Sequence, residues 1–247
     1  MRYAIVSDLH SNLEAVRAVF CHIDSQKVDT VICLGDIVGY GGSPKEVLDI
    51  VRARCPVVIA GNHDHAVVGK TDRNYFNPSA KTAVEWTAKQ LSEDDFKYIC
   101  ELPFIVQKDN FICVHANLND PEKWNYVLDE FDASATFAKM DDAKVCFIGH
   151  SHVPIVFEDS TDIHYFGVSY FGPYTELKLN PAYRYIVNVG SVGQPRDGVA
   201  DAAYVVYDST SMFVQLFRVP YDIASAQKQI LSAGLPKFLA ERIQYGR

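Results

Sequence analysis

Nothing in the 247-residue chain approaches the run of about 18 apolar residues that a membrane-spanning helix requires. Met1-Arg2 leads straight into an apolar run that reaches Asp8, which leaves no space for the apolar region of a signal peptide. The six cysteines include no C-x-x-C pair, so a cysteine metal site or catalytic thiol is not expected. Cys33, Cys113 and Cys146 fall inside apolar, strand-like runs, where a free thiol behaves as a small hydrophobe. All six are expected to be reduced in a cytoplasmic protein. Excess positive charge is also missing: 23 Lys and Arg stand against 31 Asp and Glu, a net charge of -8. Such a chain offers no basic stripe for long nucleic acid and no attraction to an anionic membrane. Anionic ligands must then be attracted locally, as bound metal cations would do. Repeats and low-complexity segments are absent. The remaining composition, 48% apolar and 22% charged, is that of a globular protein able to bury a full core.

Three strand-to-helix units come first. The run Tyr3-Ala4-Ile5-Val6 ends in Ser7-Asp8-Leu9-His10. Ser11-Asn12-Leu13-Glu14 then predicts a capping box, Ser11 accepting from the Glu14 N–H, before a helical stripe of Leu13, Val16, Val19, Phe20 and Ile23. Thr30–Leu34 leads to Gly35-Asp36. The Gly39-Tyr40-Gly41-Gly42 loop is either free to approach a ligand closely or a flexible connection. Ser43-Pro44-Lys45-Glu46 predicts a second capping box, with Pro44 at the first helical position and Val47, Leu48 and Val51 facing the core. Pro56–Ala60 is the third strand and ends in Gly61-Asn62-His63-Asp64. These units imply a largely parallel sheet with right-handed crossovers.

Thr71–Leu102 reads as a helical insertion over the sheet edge, too short to bury its own core; Asn77-Pro78 and Ser92 start its helices. A hairpin joins Phe104–Gln107 to Phe111–Val114 across Lys108-Asp109-Asn110 and ends at His115. Pro121–Leu128 and Ala133–Lys139 look helical. Val145–Ile148 leads into Gly149-His150-Ser151-His152. Short strands follow at Ile155–Glu158, Ile163–Phe166, Glu176–Leu179, Tyr185–Val189, Ala203–Tyr207 and Phe213–Arg218, and predict a second, antiparallel or mixed sheet. Helices at Ile223–Leu231 and Pro236–Tyr245 close the chain. Both halves supply one set of candidate ligands, so residues 1–247 are read as a single domain.

The chain has eight histidines. Five of them, His10, His63, His115, His150 and His152, stand at or near the end of an expected strand, in turns bearing Gly, Asp or Asn. Ligands bind in the crevice outside the carboxyl ends of such strands, and polar groups gathered there must be paired or must hold cations. His22 and His164 lack this setting and are read as ordinary side chains; His65 has only its proximity. Asp8, His10, Asp36, Asn62, His115, His150 and His152 form a nitrogen and oxygen donor set without thiolate. It suits Mn²⁺, Fe, Zn²⁺, Co²⁺ or Ni²⁺, and suffices for two ions if one carboxylate bridges. Two such ions can clamp the attacking and leaving oxygens of a phosphoryl displacement.

Asp8-x-His10, Gly35-Asp36, Gly61-Asn62-His63-Asp64, His115 and Gly149-His150-x-His152, in that order, resemble the calcineurin-like metallophosphoesterase superfamily over essentially the whole chain. The resemblance implies an α/β fold, a four-layer αββα sandwich of two mixed sheets flanked by helices, with the metal site at strand carboxyl ends. It implies one ion, Mn²⁺ foremost, on Asp8, His10, Asp36 and His152, and a second on Asp36, Asn62, His115 and His150. Phosphoprotein phosphatases have an Asp-Arg-Gly continuation after Gly-Asp and Glu at the place of Asp64; this chain has neither. The Gly35–Gly41 run, the Glu85–Ser92 region and Asn188–Arg196 are similar instead to a prokaryotic phosphodiesterase-like subgroup labelled by likeness to diadenosine tetraphosphatases.

The implied activity is hydrolysis of small phosphodiester or nucleotide-type substrates by in-line attack of a hydroxide held between two metals. The expected partner is a small phosphorylated substrate, with no long nucleic acid and no membrane, and the oligomeric state is left open. His63 is the candidate general acid. Asp64 either orients it or is a plain turn carboxylate. Arg196 either binds a substrate phosphate as a bidentate donor or pairs with Asp197 or Asp201. Tyr40 and Asn77 are candidates for the substrate rim, and Trp86 belongs to a core stripe. The rival readings are a phosphoprotein phosphatase, a non-catalytic scaffold of the same fold and a metal-dependent nuclease.

Overall fold

The structure is a computed structural model that describes residues 1–108, 110–160 and 176–247 with their side chains, and 165–170 as backbone. Asp109 of the hairpin turn, and Ile163 and His164 of one expected strand, lie outside the described residues. Apolar runs buried on both faces form the central strands, as expected for sheets covered on each side. In chain order the elements are β1 (Arg2–Val6), α1 (Leu13–Ser25), β2 (Thr30–Cys33), α2 (Pro44–Arg54), β3 (Val57–Val58) and α3 (Asn62–Val67). Next come α4 (Pro78–Thr87), α5 (Glu93–Cys100), β4 (Ile105–Lys108), β5 (Phe111–Val114), α6 (Glu130–Phe137) and β6 (Val145–Ile148). The rest are β7 (Ile155–Ser160), β8 (Tyr165–Tyr170), β9 (Glu176–Lys178), β10 (Arg184–Asn188), β11 (Ala202–Asp208), β12 (Phe213–Val219), α7 (Ile223–Ser232) and α8 (Lys237–Arg242).

Two six-stranded sheets result, ordered β3-β2-β1-β11-β12-β9 and β4-β5-β6-β10-β7-β8. Each contains a run of three parallel strands, β3-β2-β1 in one and β5-β6-β10 in the other. Every other pairing is antiparallel. The first sheet is therefore mixed, not largely parallel. The later strands are also not confined to the second sheet. The open edge of β1 is filled by β11, with Ile5 opposite Val205, and β12 and β9 extend that sheet further.

Strand alternation sorts side chains between layers. Ile5, Ile32, Phe111, Phe147, Val187 and Tyr207 meet between the sheets. Ala4, Val6 and Cys33 face the other way, onto Val16, Val19 and Phe20 of α1 and Val47 and Leu48 of α2. Ile112, Cys146 and Ile186 pack outward against Ala133 and Phe137 of α6. These are the layers of an αββα sandwich. The helices of the expected insertion do not pack alone: Val84 and Ile99 join the core beneath α1 and α2, while Ala80 and Ala83 pack with Ala226, Ile230 and Leu239 of α7 and α8. Among the described residues, no helix is long and apolar enough to cross a membrane. All six cysteines are free.

Several local expectations are corrected. Asn12, not Ser11, caps α1, its Oδ1 accepting from the Ala15 N–H at 3.2 Å. Ser11 lies in the left-handed region at φ 54° and cannot take the capping conformation. Ser43 precedes α2 without a side-chain cap bond, although Pro44 begins the helix as expected. The third strand is only two residues long. Pro121–Leu128 is not a helix. A single 3₁₀ turn spans Pro121–Lys123 and stops at Trp124, whose φ of 56° cannot continue it.

Candidate metal centre

Parallel strands run in one direction, so their carboxyl ends share an edge of each sheet, and stacking the sheets brings the two edges together. All six parallel strands deliver part of the centre. β1 leads to Asp8 and His10, β2 to Asp36, β3 to Asn62 and His63, β5 to His115, and β6 to His150 and His152. The loop after β10 carries Ser191, Gln194 and Arg196.

Asp8, His10, Asp36, His150 and His152 all have positive φ, between 48° and 65°. Left-handed backbone costs an L-residue about 1–2 kcal/mol, and such strain collects at functional sites. A hydrogen-bond lattice holds it. The N–H groups of Asp8, His10 and Ser11 donate to the carbonyls of Gly35, Asp36 and Ile37. The Asp8 carbonyl accepts from the Gly193 N–H and the Ser191 hydroxyl. Asn188 Nδ2 donates to the Gly149 carbonyl and Ser151 Oγ, and Asn12 Nδ2 donates to the Gly193 carbonyl.

The ligand atoms converge. Asp8 Oδ1 lies 3.2 Å from His152 Nε2 and 3.7 Å from His10 Nε2. Asp36 Oδ2 lies 3.6 Å from His10 Nε2 and 3.5 Å from His115 Nε2, between the two groups. Asn62 Oδ1 is 3.3 Å from His115 Nε2. Asp8–His10–His152, Asp36–His115–His150 and His10–Asp36–His63 are each compact enough to hold an ion. The other carboxylate oxygens are anchored: Asp8 Oδ2 accepts from the His150 N–H and Asp36 Oδ1 from the His63 N–H.

Tautomers follow from the backbone. His10, His115 and His152 each place Nδ1 against a carbonyl, those of Val38, Leu34 and Gln194, at 3.2, 2.8 and 2.6 Å. A carbonyl only accepts, so each Nδ1 carries the proton and, in a neutral ring, each Nε2 presents a lone pair. His10 Nε2 and His152 Nε2 then face one another at 3.2 Å, beside an Asp8 Oδ1 that has no donor. Buried lone pairs cannot satisfy each other; a cation between them can. Metal-ligating histidines are held through their second nitrogen in this way. The residues present therefore fit divalent metal ions.

Electrostatics agree. Burial would raise the carboxyls of Asp8 and Asp36, but His152 and His115 respectively outweigh it and hold both below the usual carboxylate range. Burial pushes His10 and His152 down, and lowers His150 to about 3 and His63 to about 4. His115 resists: burial lowers it, but Asp36 lifts it to about 9. Burial thus opposes charge on most of these imidazoles while the two carboxyls stay ionised, and such a buried set favours a cation among its oxygens and nitrogens.

The residues expected around this set fall into distinct places. His63 lies against Tyr40, His10 and Phe76, with ring centroids at 4.4, 4.9 and 4.8 Å, and its buried Nδ1 has no partner. Asp64 does not orient it. Asp64 Oδ1 accepts from the N–H groups of Ile37 and Val38 and Oδ2 from that of Gly61, so it braces the Asp36 loop. Burial, with Asp36 nearby, raises its carboxyl to about 7. Arg196 makes neither expected ion pair: Asp197 is taken by Arg218, which also reaches the Asp201 carbonyl. Arg196 donates through Nη2 to Gln194 Oε1, lies 5.7 Å from the Tyr40 ring centroid, and leaves Nε unpartnered. Asn77 caps α4 through Ala80 and also lines the cleft above the centre. Trp86 is half-buried against the α4–α7–α8 core.

Two aromatic residues went unremarked in the sequence. Tyr126 stacks on His150 at 4.1 Å and 21°, and Trp124 meets His115 edge-on at 5.8 Å. Their signal was hidden because the segment reads as helix, which would have pointed the two rings to different faces.

Two mixed sheets with a His/Asp cluster on their joined edges define a metallophosphoesterase fold. A family model of the calcineurin-like phosphoesterase superfamily domain matches residues 1–212. The chain is 36% identical to the uncharacterised protein MJ0912 of Methanocaldococcus jannaschii over 248 residues, 99% of this chain and 98% of that protein. A crystallised metallophosphoesterase from Sphaerobacter thermophilus is similar at a TM-score of 0.89 and 36% identity, over 100% of this chain and 99% of that one. The Pyrococcus horikoshii protein PH1004 shares the fold at a TM-score of 0.79 and 17% identity, over 100% and 98%. The chain belongs to the calcineurin-like phosphoesterase superfamily, a membership that implies divalent metal ions.

Proposed function

We propose that the protein is a dinuclear-metal phosphoesterase acting on small phosphodiester or nucleotide-type substrates. One observation carries the reading: Asp36 Oδ2 stands between His10 and His115, so a single carboxylate can serve both an Asp8–His10–His152 group and an Asn62–His115–His150 group. Ions held there would activate water and neutralise phosphoryl charge. The remaining work belongs to side chains. Arg196, with no carboxylate partner and a buried Nε that lacks an acceptor, binds a phosphoryl oxygen and aligns the ester. His63, beside the ligands and facing the cleft, donates a proton to the leaving oxygen. Tyr40 packs on both His10 and His63 and keeps the proton donor and Arg196 in one geometry.

Metal content of the purified protein, and hydrolysis with added Mn²⁺, Zn²⁺ or Ni²⁺, test this. Two equivalents of metal and turnover of bis-aryl phosphates above phosphopeptides are expected, both lost in Asp36→Asn. Turnover favouring phosphopeptides would move the assignment to a protein phosphatase. Absence of both metal and hydrolysis would leave a scaffold of the same fold.

A further inference from the structure

Above the candidate ligands lies a cleft of about 490 Å³, in the range that houses small-molecule ligands. Asn62, His63 and His150 form its floor. Tyr75-Phe76, just before α4, and Trp124 and Tyr126, which follow the 3₁₀ turn, line its walls. Phe76 and Trp124 are half-buried, but Tyr75 and Tyr126 are not core. Tyr75 is 87% exposed and Tyr126 47%, and aromatic surface left in water is unfavourable unless a partner covers it.

Each wall is tied to the centre. Phe76 meets the His63 ring edge-on at 4.8 Å and Tyr126 stacks on His150. Trp124 sits in left-handed backbone, where a bulky residue is rare. It is kept there by His65 and Phe104, at centroid distances of 5.3 and 5.5 Å. A buried histidine and a phenylalanine thus hold an indole in the cleft wall, a specific arrangement for a loop that otherwise carries exposed polar residues.

We propose that this cleft grips the flat aromatic group of the substrate, a nucleobase or an aryl ring, between Tyr75-Phe76 and Trp124-Tyr126, while the phosphoryl group rests on the floor. The assignment rests on the phosphoesterase reading above and names its substrate class: phosphoesters bearing a planar π-system. Stacking of this kind tolerates any base, so the selectivity is for flatness, with Asn77 and Lys123 at the rim to meet a polar ring edge.

The chain has two tryptophans, Trp86 and Trp124, so Trp86→Phe leaves fluorescence that reports the cleft wall alone. Titration of this variant with adenosine 5′-monophosphate is expected to give saturable quenching, and ribose 5-phosphate none. Tyr75→Ala, which removes an exposed ring and no core contact, should weaken nucleotide binding several-fold. Trp124→Ala should lower kcat/KM for aryl or nucleoside esters through KM, by about 5- to 150-fold for one lost stacking partner. Glycerol phosphoesters should lose far less, and Trp124→Phe should restore most of the loss. Quenching without any hydrolysis would keep this assignment and overturn the phosphoesterase reading. Hydrolysis with equal KM changes on aromatic and glycerol esters, or equal responses to the nucleotide and the sugar phosphate, would overturn this assignment alone.

Discussion

Ser11 and Gly193 show opposite consequences of one crowded loop. Ser11 is buried, left-handed at φ 54°, and its hydroxyl has no partner. Replacing it with glycine removes both penalties and keeps its backbone bonds to Ile37 and Ser43. Ser11→Gly is therefore expected to stabilise the fold by about 1 kcal/mol after the added freedom of the unfolded chain is subtracted, read as a higher denaturant midpoint. Gly193 has no such latitude: a Cβ there would overlap the Leu9 carbonyl. Gly193→Ala should cost about 3 kcal/mol or more and lower metal content, because the same turn holds the Asp8 carbonyl. At His63 the expected effect is on chemistry. His63→Ala should impair esters with poor leaving groups far more than activated aryl esters while metal content is unchanged; equal losses on both would remove it as the proton donor. Asp8, His10, Asp36, Asn62, His63, His115, His150 and His152 were all legible as candidates, since each follows an apolar run. Asp64 and Arg196 were legible as positions only, because their partners come from residues far along the chain.

Helix α5 shows what an element's sequence says when the signal is local. Ser92 starts the helix as its sequence predicts, and Asp95 completes a capping box with it: the Asp95 N–H donates to Ser92 Oγ, and Asp95 Oδ2 accepts from the Ser92 N–H at 3.0 Å. Lys45 and Arg52 of α2 lie 3.4 and 3.2 Å from Asp95 Oδ1. Burial would raise the Asp95 carboxyl, but the Ser92 bonds and Lys45 leave it below its ordinary value of 3.8. A carboxyl lowered in the folded state adds stability that is complete above the unfolded value and is lost as pH falls through the folded one. Asp95→Asn should thus destabilise the protein by about 1–2 kcal/mol at pH 7, and the difference from the parent should shrink below pH 3.8 in acid unfolding curves. Failure came where neighbours override local pattern. Ser11-x-x-Glu14 has the letters of a capping box, but Ser11 is drawn into the lattice with Ile37 and Ser43 and the cap passes to Asn12. Pro121–Leu128 has the spacing of a helix, but Trp124 is drawn to His65, Phe104 and His115.

For the whole molecule, the two sheets meet at one buried set of carboxylate oxygens and imidazole nitrogens that cations would satisfy. Ions bound only by the folded state should stabilise it by mass action, about 2.7 kcal/mol per site at one hundred times the dissociation constant. Addition of Mn²⁺ to metal-stripped protein should therefore raise Tm by several degrees. Chelator should reverse the rise, and Asp36→Asn, which removes the shared carboxylate, should abolish most of it. A rise of equal size in Asp36→Asn would place the stabilising ions elsewhere.

Strands, turns and the polar residues at strand ends are written in the chain itself, because hydrophobic alternation and glycine-bearing turns act over a few residues. That is why the candidate ligands could be named before any fold was known. Which strands pair could not be read in the same way. Val205 and Ile5 carry no mark that sets β11 against β1, since backbone pairing is nearly blind to the side chains it joins. Only the closed sandwich decided that six parallel strands would point at one crevice, that Arg218 rather than Arg196 would take Asp197, and that aromatic residues from two distant loops would line one cleft above the centre. Those outcomes depend on burial shared among segments far apart in sequence, a free energy that no single segment holds.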